Sequence, residues 1–171
     1  MRNIDLNKLI TNKSKELGFN LVGFTSPYQT NQNNNLYNWL NLKYHASMNW
    51  METSKDKRSD IFKYFPEVKT IISFAYNYYT DENDDNVDNY KISNYAWGND
   101  YHIVIKGKLE KINNYIKENS SAIESRLCVD TSPIMEKPWG QRAGLGWIGK
   151  NTNLINNKIG SWFFLSEILL D

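Results

Sequence analysis

The stretch from Val68 to Tyr79 (Val-Lys-Thr-Ile-Ile-Ser-Phe-Ala-Tyr-Asn-Tyr-Tyr) constrains this chain more than any other. It is nearly continuous in apolar and aromatic residues, which suits a strand covered on both faces better than one with a wet face. We therefore expect a central core strand. Around it, Asp5 caps an expected helix to about Leu17 with Leu6, Leu9, Ile10 and Leu17 on one face, and Gly18 ends it. Phe19 to Thr25 reads as a strand closed by Ser26-Pro27, Thr30 to Asn35 as a loop, and Leu36, Trp39, Leu40 and Lys43 fall at helical spacing. Asn99 or Asp100 caps a helix to about Asn119 with Ile105, Leu109, Ile112 and Ile116 as its buried stripe and Lys106, Lys108, Lys111 and Lys117 largely on the other face. Arg126 to Asp130 reads as a strand, Ser132 and Pro133 as cap and first turn of a helix over 134–143, and 152–155 and 161–168 as strands.

Composition sets the outer bounds. With 171 residues, 40% of them hydrophobic, the chain can bury one core, so one domain over 1–171 is expected. A formal charge of +1 gives no whole-protein field to attract nucleic acid, so an RNA contact needs a local basic patch. The run from Thr80 to Asn89 holds five acids and no periodicity; it reads as a solvated loop that a phosphate backbone would avoid. A single cysteine, Cys128, excludes an internal disulfide or a cysteine-ligated cluster within these residues and is most simply a small buried residue. No apolar run approaches the ~20 residues of a membrane span, and the N-terminus lacks the apolar core of a signal peptide. We expect a cytoplasmic monomer with no membrane partner.

Chemistry concentrates between Cys128 and Leu165. Asp130 follows an apolar strand, and Gly144, Gly146 and Gly149 then form a loop whose backbone can come close to a ligand. Those glycines spell G-x-G-x-x-G, but a dinucleotide fingerprint needs a strand before and a helix after, and here the order is reversed. Gly144 to Lys150 also spells G-x-x-x-x-G-K, yet Asn151 stands where a phosphate loop needs Ser or Thr. Both nucleotide readings are rejected. Read locally, Asp130 is a cap or turn residue. The segment from Lys43 to Asp60 carries His45, Met48, Trp50, Met51 and Arg58 without a clean period. It is either a lid on the protein's own core or a surface where Met48, Trp50 and Met51 cover a flat ligand and Arg58 meets an anionic or amide-rich group.

The motifs Asp130-Thr-Ser-Pro133, Glu136, Ala143-Gly-Leu-Gly-Trp-Ile-Gly-Lys150 and Gly160-Ser-Trp-Phe-Phe-Leu-Ser-Glu167 closely resemble the epoxyqueuosine reductases. More loosely, the resemblance takes in Arg58 with Asp60, Phe65-Pro66 and Tyr95 to His102, with Ile61 departing from the family's usual proline. It implies an α+β fold, a mixed sheet flanked by helices, like the cobalamin-binding relatives of the nitroreductases. It further implies reduction of epoxyqueuosine to queuosine in tRNA, using cobalamin fed by two 4Fe-4S clusters and a reduced electron donor. The residues it carries over to the cofactor are Arg58, Tyr101, His102, Asp130, Gly149, Lys150, Asn153, Leu154, Ser161, Phe164 and Leu165, with Asp130 as proton donor. That role needs a pKa raised by burial, which the sequence does not show.

Three further expectations follow. The 144–154 loop and the Ser161–Leu165 strand line one cleft, with Arg58, Tyr101 and His102 on its rim. The family continues into a cysteine-rich cluster region beyond the match to Trp162–Asp171, so the chain reads as an N-terminal fragment with Ile168, Leu169 and Leu170 on an exposed strand end. Two rival functions stand beside the reductase: an FMN-dependent nitroreductase-like oxidoreductase and a corrinoid-binding module without redox chemistry.

Overall fold

The computed structural model describes residues 5–28, 33–81, 92–122 and 124–171. Helix α1 spans Leu6–Glu16, and Asp5 caps it by accepting from the Lys8 amide; Gly18, at φ 91°, supplies the left-handed turn that ends it. Strand β1 (Leu21–Thr25) follows, then α2 (Asn33–Asn41), two single-turn helices α3 (Asn49–Thr53) and α4 (Lys55–Ser59), and α5 (Ile61–Tyr64). The expected aperiodic stretch over 43–60 is thus partly helical. Its turns are too short to show a period in sequence. Strand β2 (Thr70–Asn77) is the central strand expected from Val68–Tyr79. The acidic run lies outside the described residues from Glu82 to Asn89, as does the expected loop over 30–32.

Asp100 caps α6 (Tyr101–Asn119) through an Oδ1 bond from the His102 amide, and Ile105, Leu109, Ile112 and Ile116 form the buried stripe. Lys108 departs from the solvated face: its ammonium donates to Leu17 O at 2.6 Å and lies over the Tyr76 ring. Strand β3 is Ser125–Cys128, helix α7 is Glu136–Arg142, β4 (Trp147–Ile148) and β5 (Leu154–Ile155) form a hairpin, and β6 is Phe163–Leu170.

The main sheet runs β1-β2-β6-β3, and every neighbouring pair is antiparallel. The α+β class is the one expected, but the sheet is not mixed. The α6 crossover leaves β2 and β3 running the same way, and β6 fills the gap between them in the opposite sense. One face of the sheet (Ile72, Phe74, Ile168) meets α1 and α6; the other meets α5 and α7 through Ile71, Cys128 and Leu169, and the hairpin side through Ala75 and Phe163. Covered on both faces, each buried Ile, Leu or Phe adds roughly 1.5–3 kcal/mol, which is why β2 and β6 tolerate so few polar residues.

Two expectations are corrected here. Ile168, Leu169 and Leu170 are not an exposed end: they are 0%, 0% and 7% exposed, paired with β2 on one side and β3 on the other. Their apolar character is that of core residues, and it carries no argument about a missing continuation. Ser132 and Pro133 also do not open a helix. Residues 129–134 form a bend, and α7 starts at Glu136, whose side chain turns back to the Asp130 amide instead of leaving Ser132 to cap.

Candidate active site

Strand β3 pairs only with Glu167–Leu170 of β6, so the first half of β6, from Phe163 to Ser166, lies at an open edge on that side. Beyond Cys128 the chain bends at Asp130, which has φ 54°, a left-handed conformation that an aspartate adopts more readily than most residues but still at a cost. The Thr131 amide donates to Val129 O at 2.5 Å, closing a tight turn around it. Strain of this kind collects where a side chain must be aimed.

Around that turn the structure gathers residues far apart in sequence. The Tyr101 hydroxyl donates to Asp130 Oδ2 at 3.2 Å, and His102 Nε2 lies 3.3 Å from the same oxygen. The other ring nitrogen of His102, Nδ1, sits 2.8 Å from Asp100 Oδ1. Burial pulls the His102 pKa down, but its hydrogen bonds to Asp100 and Asp130 outweigh this and raise it, so a protonated imidazole can donate to both carboxylates. Burial first, then the Asp130 charge and hydrogen bond, push Tyr101 up to about 12, which keeps its phenol a donor. The Tyr101 ring stacks on Phe164 at 4.0 Å and 8°, and Phe164 in turn meets Tyr78, which stacks on Trp162.

On the other side of Asp130 lies a depression of about 390 Å³ lined by Trp50, Met51, Arg58, Asp130, Glu136 and Lys137, among others. Arg58 Nη1 donates to Ile134 O at 3.0 Å, and its guanidinium lies 5.0 Å from the Trp50 ring centre. Burial lowers the Arg58 pKa and the charges of Glu136 and Asp130 oppose that. Three smaller depressions flank the cluster along Tyr78–Tyr95–Trp162, Tyr95–His102 and His102–Ser132. Arg58, Tyr101, His102, Asp130 and Phe164 therefore meet at one place.

The glycine loop does something other than expected. A Cβ at Gly146 would fall 2.1 Å from Ile155 O and one at Gly149 2.5 Å from Ile155 Cδ1, so both glycines serve the close packing of the β4–β5 hairpin. Leu154 is 3% exposed and packs into the core beneath it. Residues 144–154 line none of the four depressions; Asn153 touches that region through a 3.4 Å bond from Lys137 Nζ. Ser161 and Leu165 flank Phe164 on β6 or just before it, and Lys150 is exposed.

The burial that a proton donor needs is also absent from Asp130, since its side chain is 60% exposed. Two carboxyls near it are shifted upward. Glu136, mostly buried, is raised to about 7, by burial first and then by the Asp130 charge, against the opposing bond from the Asp130 amide and the charges of Arg58 and His102. Glu167, fully buried on β6, is raised well above the carboxylate range by burial and by Glu136, the neighbouring Ser73 hydroxyl offsetting only part of this. Both belong to the quoted motifs, but nothing in one dimension marks them as buried.

The fold and site define a class: a two-faced antiparallel α+β domain that offers an aspartate from a strained turn at the open end of its sheet. A family model described as "Epoxyqueuosine reductase QueG, DUF1730" matches residues 58–131, which hold Arg58, Tyr101, His102 and Asp130. The epoxyqueuosine reductase of Leadbetterella byssophila is 42% identical over 168 residues, spanning 98% of this chain and 55% of that protein. The solved reductase of Streptococcus thermophilus matches with a TM-score of 0.79 at 26% identity over 98% of this chain and 46% of its own. A reductase crystallised with an epoxyqueuosine-modified tRNA stem loop shares the fold at a TM-score of 0.80 and 22% identity, over 96% of this chain and 45% of its own. The chain is similar to the epoxyqueuosine reductases over nearly all of its own length and spans about half the length of the relatives it matches.

Proposed function

We propose that this chain forms the cobalamin-binding part of an enzyme that reduces epoxyqueuosine in tRNA to queuosine, with Asp130 as the proton donor. The observation that carries the reading is the exposed Asp130 carboxyl, held at 3.2–3.3 Å by Tyr101 and His102 beside the open edge of β6. That surface fits a broad plate with amide arms. The side of Phe163–Ser166 that faces away from β2 has no strand partner among the described residues, and Trp162, Tyr78 and Phe164 offer flat apolar area. Arg58, Tyr101, His102 and Asp130 stand along it. For Gly149, Lys150, Asn153, Leu154, Ser161 and Leu165 the support is the resemblance alone. When bound, cobalamin supplies the electron transfer that these side chains lack.

The residues handle the protons. Conversion of an epoxide to an alkene and water consumes two electrons and two protons. Opening the carbon–oxygen bond leaves an alkoxide; Asp130 gives the first proton to that oxygen and, reprotonated from solvent, gives the second as the oxygen leaves as water. Tyr101 and His102 then share the carboxylate charge left behind. The electrons come from a reduced donor through iron–sulfur clusters held by other residues, because Cys128 is 0% exposed and its thiol is pushed by burial up to about 12. The partner is tRNA carrying epoxyqueuosine, and the compartment is the cytoplasm; no helix among the described residues is long and apolar enough to cross a membrane. The test is Asp130→Asn in the full-length protein. It should keep its melting temperature and the cob(II)alamin absorption of the reconstituted enzyme while losing about 10²–10⁴ in turnover. Near-normal turnover would return Asp130 to a turn residue, and FMN absorption in place of cobalamin would favour the flavin enzyme.

A further inference from the structure

Two carboxyls beside the site take no part in that chemistry. Glu136 Oε1 accepts from the Asp130 amide at 2.7 Å, the short range of a bond to a charged acceptor. It is the first residue of α7, whose Trp139 is 4% exposed in the core, so its backbone cannot drift. Two residues earlier, Ile134 O is fixed by Arg58. The bend is thus tied from both sides. Beneath it, Glu167 stands opposite Cys128, two residues before Asp130, on the sheet face that α7 covers; it is 0% exposed, and its carboxyl makes no aligned hydrogen bond among the described residues.

We propose that Glu136 is the positioning residue of this site: by holding the Asp130 amide it keeps Asp130 in the left-handed turn that presents its carboxyl outward, with Glu167 as the buried floor of the arrangement. The left-handed conformation costs an aspartate relative to the extended or right-handed regions, in which the same side chain would leave Tyr101 and His102. Charge is divided to suit the role. Burial and the Glu136 charge favour the neutral form of Glu167, whereas Glu136 has Arg58 and His102 acting in favour of its anion. The inference rests on Asp130 being the proton donor.

The test uses the full-length enzyme and two variants. In Glu136→Ala, amide hydrogen exchange in peptides covering 129–135 should speed by at least about tenfold, and kcat should fall by about 10²-fold with KM unchanged, as misplacement of a catalytic group by about an ångström does. Glu136→Gln keeps a side-chain carbonyl that accepts from the amide. It should restore slow exchange and most of kcat. Should the alanine variant fail to fold, Glu136→Met keeps the volume without an acceptor and takes its place. Unchanged exchange in Glu136→Ala overturns the tether. Slow exchange with lost turnover in Glu136→Gln overturns the positioning role in favour of proton transfer by Glu136 itself. Fast exchange in Glu136→Ala together with full activity of Asp130→Asn keeps the tether and discards the acid, so the two failures read differently.

Discussion

At the scale of single residues, the site divides its work between groups that touch Asp130 and groups that hold it. Tyr101 does both: its hydroxyl bonds Asp130 and its ring stacks on Phe164. Tyr101→Phe separates the two, because the stack survives and the bond does not. Losing a hydrogen bond to a charged group is worth ~1.5–3 kcal/mol. Steady-state turnover of the full-length variant should therefore fall roughly 10–100-fold with its melting temperature unchanged; a wild-type rate would remove the hydroxyl from the mechanism. Asp130, Tyr101, His102 and Arg58 were all legible in sequence, through motifs and not through periodicity. The surroundings of Asp130 were not. The burial that a proton donor needs is found instead at Glu136 and Glu167, because depth depends on which elements cover a side chain.

At the scale of elements, patterns that repeat were read and patterns that do not were missed. Helix α6 and strand β2 follow from stripe and run length. The turns α3 and α4 and the bend at Asp130 have no period to read. Glycines make the contrast testable. Gly107 lies inside α6 with nothing within 4 Å of a built Cβ, so Gly107→Ala should stabilise the protein by ~0.5–1 kcal/mol in chemical denaturation. Gly146→Ala would drive a methyl into the Ile155 backbone and should destabilise it by ~1–3 kcal/mol. Equal effects of the two substitutions would contradict the hairpin packing. The sequence marks both positions only as glycine; which one abuts another strand is decided by the hairpin.

At the scale of the whole molecule, two carboxyls inside the fold make stability depend on pH. Glu136 rises from an ordinary 4.5 to about 7, and Glu167 moves in the same direction. The folded state then binds protons that the unfolded chain releases, so their contribution is fully present below 4.5 and is lost as pH climbs through about 7. The melting temperature of the full-length protein should decline between about pH 5 and 8, and Glu136→Gln with Glu167→Gln should flatten that decline; an unchanged slope would mean the two groups titrate normally. By itself the sequence determined the α+β class, the central strand and the long helix, and it marked Arg58, Tyr101, His102 and Asp130 as candidates, because burial period and rare motifs are properties of order along the chain. Only the tertiary structure decided that the sheet is antiparallel throughout and that the last strand is its interior. It alone decided that two of the loop's glycines serve packing, and that a fully buried carboxyl, Glu167, lies beneath the bend at Asp130. Each of these depends on which surfaces meet across long sequence separations, and a pairing of that kind leaves no mark on either partner alone.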